Sequence, residues 1–395
     1  MYLQRGVFLR WHCIAGILTT ALVLSSCAPA GIPACAETSG EKSPVVCDTA
    51  LPGAGDSAAA AVVYSPDIGE IIYGHNVSDR LPVASITKIM TALLCLEYIR
   101  TSDPVVTVTE DMLAEGSSMG LCPGDRLRLS QIVKGMMAVS GNDAANAAAV
   151  TVAGSQEGFA ELMNKRAFEL GMKNTHFVTP SGLDSEEHYS SAGDMALLAA
   201  AAMVNSGFRE IVSGKEVTIE YVYPDNKRSV FRNHNRLLST CPGCLGIKTG
   251  YTKKAGRTLV SYVERNNVSL ICVTLNDGDD WKDHTQLYDR CFRELEAIGT
   301  GADERITVPL VGGKKNEAVL VPDRQFAGVV RKRNIDKITR TINAPRFLYA
   351  PVRKGDIRGE IIYYCDNKPV GKAYLEAGEN IETDQGSESN GKGKQ

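Results

Sequence analysis

Three short motifs in fixed order constrain this chain more than any other feature. Ser85-Ile86-Thr87-Lys88 runs into the apolar stretch Ile89 to Leu96. Ser140-Gly141-Asn142 follows the apolar run Ile132 to Val139, and Lys248-Thr249-Gly250 follows Leu245-Gly246-Ile247. If Ser85 opens a helix, Lys88 lies one turn on and shares a face with the serine hydroxyl. A hydroxyl is a poor nucleophile until a neighbouring base takes its proton, and a desolvated lysine is such a base. The unpaired N–H groups of a first helical turn also favour negative charge there. Each motif alone is weak. Ser-x-x-Lys reads first as an N-cap followed by a solvated lysine, Ser-Gly-Asn as a turn and Lys-Thr-Gly as a strand end. Their order, each in an appropriate local context, makes them a candidate active site.

With 395 residues, 44% of them hydrophobic, the chain has material for two or three domains with sizeable cores. A formal net charge of −3 and the lack of a continuous basic stripe give no case for nucleic acid. No His-x-x-His or His-Glu-x-x-His spacing occurs, and the single Cys-x-x-Cys, Cys241 to Cys244, has no second pair, so neither a metal nor a cofactor is expected. A local disulfide and two free thiols are both compatible with that pair. His188 and His234 have no partner acid at recognisable spacing and read as structural, and Asp279-Asp280-Trp281 reads as a loop and helix cap.

The first 36 residues read as a signal segment: Arg5 and Arg10 precede the apolar run Ile14 to Leu24, which is short for a permanent span. Two exits follow. Ala34-Cys35-Ala36 fits a cleavage site, whereas Leu24-Ser25-Ser26-Cys27 abuts the apolar run and resembles a bacterial lipoprotein box with Cys27 lipidated. Either exit puts the protein outside the cytoplasm, secreted or held to the outer face of the membrane by its N-terminus. Residues 37–60 are rich in Gly, Ser, Ala and Pro and read as a flexible lead-in; residues 376–395 read as a disordered polar tail without the apolar face a bilayer would need.

Between these ends, Ala61 to Tyr64 and Glu70 to Tyr73 read as strands around a turn, followed by a mostly helical stretch through Leu198. Strands return at Val217 to Tyr221, Gly246 to Thr249, Thr258 to Tyr262 and Leu270 to Thr274, with Asn266-Asn267 as a hairpin turn. Trp281 to Glu296 reads as a closing helix. Two strands, a helical insert, further strands and a helix give an α+β fold with an antiparallel sheet covered by helices.

The motifs, with Leu81 to Thr91, Asp143 to Ala145, Ser181 to Asp184, His188 to Ala192 and Tyr251-Thr252, resemble the low-molecular-mass penicillin-binding proteins, the serine-type D-alanyl-D-alanine carboxypeptidases. The resemblance implies a carboxypeptidase domain over residues 61–300, with a helical lobe beside a five-stranded sheet, and a small β-rich domain over 305–375. It implies that Ser85 is the acylated nucleophile, Lys88 the base and Ser140 a proton relay. Asn142, Lys248, Thr249, Gly250 and Tyr251 would bind the substrate, a peptidoglycan stem peptide ending in D-Ala-D-Ala, and β-lactams would acylate the same serine. The backbone N–H groups of Ser85 and Tyr251 would form the oxyanion hole, and Gly250 would let the peptide approach the strand edge.

Two details depart from the family pattern: Leu245-Gly246 stands where one of the pair is often Asp, and residues 376–395 lack the amphipathic membrane-binding helix in which many relatives end; Gly141 stands where the general Ser-Asp-Asn motif has Asp. Competing readings of the same motifs are a β-lactamase, a transpeptidase that hands the acyl group to an amine, and a non-catalytic wall-binding protein. Glu161 is not read as a deacylating base, which weakens the first. The full set of reactive residues weakens the last.

Overall fold

A computed structural model of the chain describes residues 56–384. The Cys27 and Ala34-Cys35-Ala36 signals, most of the lead-in and the end of the tail lie outside the described residues. From its N-terminal side the chain makes β1 (Ala60–Ser65) and β2 (Glu70–His75), then α1 (Lys88–Ile99). A two-stranded ribbon of β3 (Val105–Thr107) and β4 (Arg126–Arg128) precedes α2 (Leu129–Val139), α3 (Asn142–Ala153) and α4 (Gln156–Glu169). Next come α5 (Ala192–Val204), α6 (Ser206–Ser213), a ribbon of β5 (Glu216–Glu220) and β6 (Arg228–Arg232), and one turn of helix, α7 (Leu237–Thr240). β7 (Cys244–Thr252), β8 (Gly256–Arg265), β9 (Val268–Leu275) and α8 (Asp280–Cys291) complete this part.

The sheet runs β2-β1-β9-β8-β7 and is antiparallel throughout, as the α+β reading expects. Its central strand β9 is buried at every position. The reason is visible residue by residue: Ile271, Val273 and Leu275 enter the core shared with the helical lobe, while Leu270 and Cys272 enter the core beneath α8. Strand side chains alternate between faces, so a strand covered on both sides needs an unbroken apolar run. Asn266 and Asn267 both take positive φ (51° and 62°), which closes the β8–β9 hairpin with the twist that two-residue loops favour.

Four details differ from the sequence reading. The polar tail does not begin at residue 376: a strand runs to Ala377, and Ile381 is buried and donates to the Val352 carbonyl at 2.8 Å. The strand at Val217 to Tyr221 is not in the main sheet; it pairs with β6 in a separate ribbon. The closing helix stops at Cys291, because Leu295–Gly299 is a strand, β10, whose Leu295 and Ile298 are buried. The chain is also fixed from Asp56, whose carboxylate accepts the Tyr73 hydroxyl at 2.7 Å and pairs with His75 at 2.8 Å. Ser57 N donates to Asp283 at 2.7 Å.

β10 (Leu295–Gly299) opens an eight-stranded C-terminal sheet completed by β11 (Ile306–Val311), β12 (Glu317–Pro322), β13 (Phe326–Arg331), β14 (Ile338–Asn343), β15 (Leu348–Tyr349), β16 (Ile357–Cys365) and β17 (Lys368–Ala377). Val308, Leu310, Leu320, Ile361 and Leu375 form its own core. It meets the first sheet through Arg331, which donates to the Ile71 carbonyl at 2.7 Å and pairs with Glu70 at 3.0 Å.

Candidate active site

Ser85 lies in a tight 3-10 turn, Ala84–Thr87, that leads directly into α1. Ala84 takes φ 50°, a left-handed conformation that costs a non-glycine residue about 1–2 kcal/mol, so the surroundings must hold the turn. Thr258 does so from β8 by donating its hydroxyl to the Val83 carbonyl at 3.0 Å. Gly250 does so from β7. A Cβ at that position would sit 3.0 Å from the Ser85 nitrogen and would also strike the Thr258 hydroxyl. The glycine is therefore needed first for the approach of the strand to the serine turn, beyond the access for a peptide that the sequence suggests.

Lys88 is completely buried, and its Nζ has three neighbours: Ser85 Oγ at 2.9 Å, Asn142 Oδ1 at 2.8 Å and the Ser181 carbonyl at 2.7 Å. Two of these can only accept. The Asn142 amide is fixed the right way round because its Nδ2 donates to the Glu115 carbonyl at 2.7 Å. A neutral lysine amine has two N–H donors and one lone pair. An ammonium would donate to all three; in the neutral form the two carbonyl oxygens take the donors and the lone pair is left for the Ser85 hydroxyl. Burial drives the Lys88 pKa well down, the charge of Lys248 adds to this, and Asp143 opposes it.

The second motif is shaped by its own residues. Ser140 ends α2 in a left-handed conformation (φ 62°), and Asn142 opens α3 with its N–H on the Ser117 carbonyl at 2.7 Å. Asp143 accepts from Met119 N at 2.8 Å, Leu121 N at 3.1 Å and the Ser118 hydroxyl at 2.6 Å, so it ties the 118–121 loop to the motif. That explains Gly141: a Cβ there would lie 2.7 Å from Asp143 Oδ1 and 2.9 Å from Met119 N. Gly246, in the pair that departs from the family pattern, takes φ 132° against Val212, where a Cβ would be 2.8 Å from the valine side chain.

Lys248 is also buried, donates to the Thr249 carbonyl at 2.8 Å and is pushed down by burial to about 7. Ser85, Ser117, Ser140, Thr249, Gly250 and Tyr251 line one open cleft, and Lys88, Asn142 and Lys248 are buried behind it. All eight residues singled out in the sequence thus converge on one place.

Sequence reasoning missed several contributors. The Ser181 carbonyl acts through the backbone, which residue type does not reveal; the loop bearing it is tied to α1 by Thr91, whose hydroxyl donates to the Pro180 carbonyl at 2.6 Å. His188 is structural, as expected, but close to the site. Its Nδ1 accepts from Val178 N at 3.0 Å, so Nε2 carries the proton and donates to Thr87 Oγ1 at 2.8 Å, and burial lowers its pKa to about 4. Asp280 also proves to be more than a cap, because it pairs with Arg257 in the cleft wall. Cys241 and Cys244 are free thiols; burial pushes Cys244 up to about 12, and it donates to the Gly246 carbonyl at 3.3 Å.

Residues 50–279 match the family model of the D-alanyl-D-alanine carboxypeptidases. The chain belongs to the D-alanyl-D-alanine carboxypeptidase family. Residues 300–383 match a second family, the C-terminal domain of penicillin-binding protein 5. The carboxypeptidase DacF of Bacillus subtilis is 31% identical over 82% of this chain and 86% of its own length. DacC of Escherichia coli is 33% identical over 80% of this chain and 82% of its own. Among solved structures of the family fold, penicillin-binding protein 5 of Haemophilus influenzae superposes with a TM-score of 0.61 at 28% identity, covering 84% of this chain and all of that one (100%). The Streptomyces K15 DD-transpeptidase covers 60% of this chain and 98% of its own, with a TM-score of 0.58 at 28% identity.

Proposed function

We propose that this carboxypeptidase removes the terminal D-alanine from peptidoglycan stem peptides through an acyl-enzyme on Ser85. The observation that carries the reading is the environment of Lys88: two fixed carbonyl acceptors and one hydroxyl around a buried amine whose pKa is driven down. Neutral Lys88 takes the Ser85 proton as Oγ attacks the carbonyl of the penultimate D-alanine. The negative oxygen that forms is received by the N–H groups of Ser85 and Tyr251, donors each worth roughly 2.7–4 kcal/mol in comparable acyl-transfer sites. As the C–N bond breaks, Ser140 passes a proton to the departing D-alanine nitrogen. Water then hydrolyses the ester, and Ser85 regains its proton. Asn142 holds Lys88 and the substrate amide, Thr249 bonds the substrate carboxylate, and Lys248 contributes charge behind Ser140. A β-lactam carbonyl enters the same sequence and stops at the ester.

The same reading puts the protein outside the cytoplasm, exported by the N-terminal segment and either released by cleavage or held at the membrane by lipidated Cys27. Incubation of purified protein with a peptide ending in D-Ala-D-Ala, with and without an added amine, tests the reaction. Stoichiometric free D-alanine and shortened peptide are expected; an amine-linked product in place of hydrolysis would make the enzyme a transpeptidase, and turnover by Ser85→Ala would remove the serine mechanism.

A further inference from the structure

Cleavage at a terminal D-alanine requires that the free carboxylate beyond the scissile bond be recognised, and the motif residues supply little countercharge for it. Lys248 is buried and already bonded to its neighbour's carbonyl, and with a pKa near 7 it is only partly charged at neutral pH. Thr249 offers a neutral hydroxyl. The cleft wall supplies charge from another direction. Arg257 stands opposite Tyr251 in the β7–β8 register, beside the Gly250–Thr258 pair that backs Ser85. Residues directly opposite on neighbouring strands share a face, so the arginine follows Tyr251 towards the cleft that both line. Its guanidinium stacks over the Trp281 ring, 5.5 Å from the centroid, and pairs with the buried carboxylate of Asp280. Burial raises the Asp280 pKa, while the hydrogen bond and charge of Arg257 and the charge of Arg236 oppose that. Arg236 and Arg257 both line the cleft, and Asp280 is the single acidic residue among the described residues of its lining, so the wall carries a net positive charge. Arg257 keeps donor capacity: its side chain is 41% exposed, and its Nε is buried without a hydrogen-bond partner in the protein.

We propose that Arg257, oriented by Asp280 and Trp281 and supported by Arg236, binds the C-terminal carboxylate of the acyl donor and sets the preference for peptides that end one residue beyond the scissile bond. The proposal rests on Ser85 being the nucleophile. A guanidinium suits the task because its charge is permanent and its planar fork can serve Asp280 and a second carboxylate from different edges. Asp280 and Trp281 act as positioning residues.

The test is a pair of acyl-D-alanyl thioesters with the same acyl part, one releasing thioglycolate and the other thioglycolamide. They differ only in the leaving-group carboxylate. The wild-type enzyme is expected to turn over both and to prefer the thioglycolate. Arg257→Met keeps the aliphatic stem on Trp281 and should lower the ratio of kcat/KM values, acid over amide, by roughly ten- to hundred-fold, the range of one lost hydrogen bond between charged groups. Asp280→Asn should lower the ratio less, mainly through KM for the acid. Because Arg257→Met leaves a buried carboxylate unpaired, the double variant Arg257→Met with Asp280→Asn provides a second measurement free of that burden. A wild-type acid-to-amide ratio in either Arg257 variant, with Tm near that of the wild type, overturns the proposal. Failure of the wild-type enzyme to turn over either thioester would instead overturn the assignment of Ser85.

Discussion

Lys88 and Asn142 form a donor–acceptor pair of fixed polarity: Nζ donates to Oδ1 at 2.8 Å, and the other end of the same amide is tied to the Glu115 carbonyl at 2.7 Å. The amide accepts from the lysine without adding negative charge beside it, which leaves burial free to lower the lysine pKa. Asn142→Asp would put a carboxylate in that position and stabilise the ammonium. The base limb of the acylation rate should then move to higher pH, and acylation at pH 7 should fall by about ten-fold or more for each unit of the shift. Stopped-flow acylation by a penicillin from pH 6 to pH 10 measures it; an unmoved limb would show that Lys88 does not set the rate.

Penicillin treatment should leave one covalent adduct on the peptide containing Ser85, seen by mass spectrometry. Lys88→Arg keeps a cation but removes a group that can lose its proton in a protein, so the rate of adduct formation should drop by about 10²–10⁴-fold while the far-ultraviolet circular dichroism persists. A label elsewhere, or labelling of Lys88→Arg at the wild-type rate, would contradict the roles given to the two residues.

Two buried histidines should make the enzyme acid-labile. Burial lowers His188 to about 4 and His284 to about 3. Both are neutral when folded, whereas the unfolded chain takes up their protons below about pH 6.5. Stability should therefore be fully present above that pH and fall as the pH drops, by up to about 1.4 kcal/mol per unit for each histidine, until the folded values are reached. Melting curves at pH 7, 6 and 5 should show the decline. His284→Gln, with an amide that can still meet the Ser261 and Thr274 hydroxyls, should reduce its slope.

The sheet and the convergence of the eight candidate residues were legible in the sequence because they rest on local signals: alternating or unbroken apolar runs, the Asn266-Asn267 turn, and motifs whose spacing matches a helix start or a strand edge. What escaped was set by tertiary partners. Val217 to Tyr221 has strand composition, yet nothing in it says that Arg228 to Arg232 and not the main sheet is its neighbour. Leu295 to Ile298 continues the apolar pattern of α8, and only pairing with β13 turns it into a strand. The Ser181 carbonyl is invisible in principle, since every residue has one. Gly141 replaces the Asp of the general Ser-Asp-Asn motif, and the crowding of Asp143 and Met119 against that position accounts for it.

Membrane attachment is expected to depend on Cys27. Cys27→Ala should move the protein from the membrane fraction to the soluble fraction, and deletion of residues 384–395 should leave the partition unchanged. Durable attachment needs more than one acyl chain on that cysteine, because a single chain binds only marginally. A mature N-terminus at Glu37, read by mass spectrometry of the purified protein, would remove this anchor.

Lys248 illustrates how the site trades stability for chemistry. Its pKa falls from 10.5 in water to about 7 in the fold, with burial as the cause. Below about pH 7 both folded and unfolded chains carry the proton, and the burial penalty is present in full. Between about 7 and 10.5 the unfolded chain holds the proton more tightly than the folded one, so stability from this group rises with pH, by at most about 1.4 kcal/mol per unit. Lys248→Met fills the same space without a charge. At pH 7 it should be more stable than the wild type by about 1–4 kcal/mol, the range found when buried ionic groups give way to apolar ones, and the difference should shrink towards pH 10. The same substitution removes a positive charge that helps to lower the Lys88 pKa. Acylation by penicillin should therefore slow at pH 7 even as the protein becomes harder to unfold. Urea titrations at pH 7 and pH 9.5, run beside acylation rates on the same preparations, separate the two effects; a variant less stable than the wild type at pH 7 would show that the lysine is held there by its bond to the Thr249 carbonyl and not merely tolerated for its chemistry.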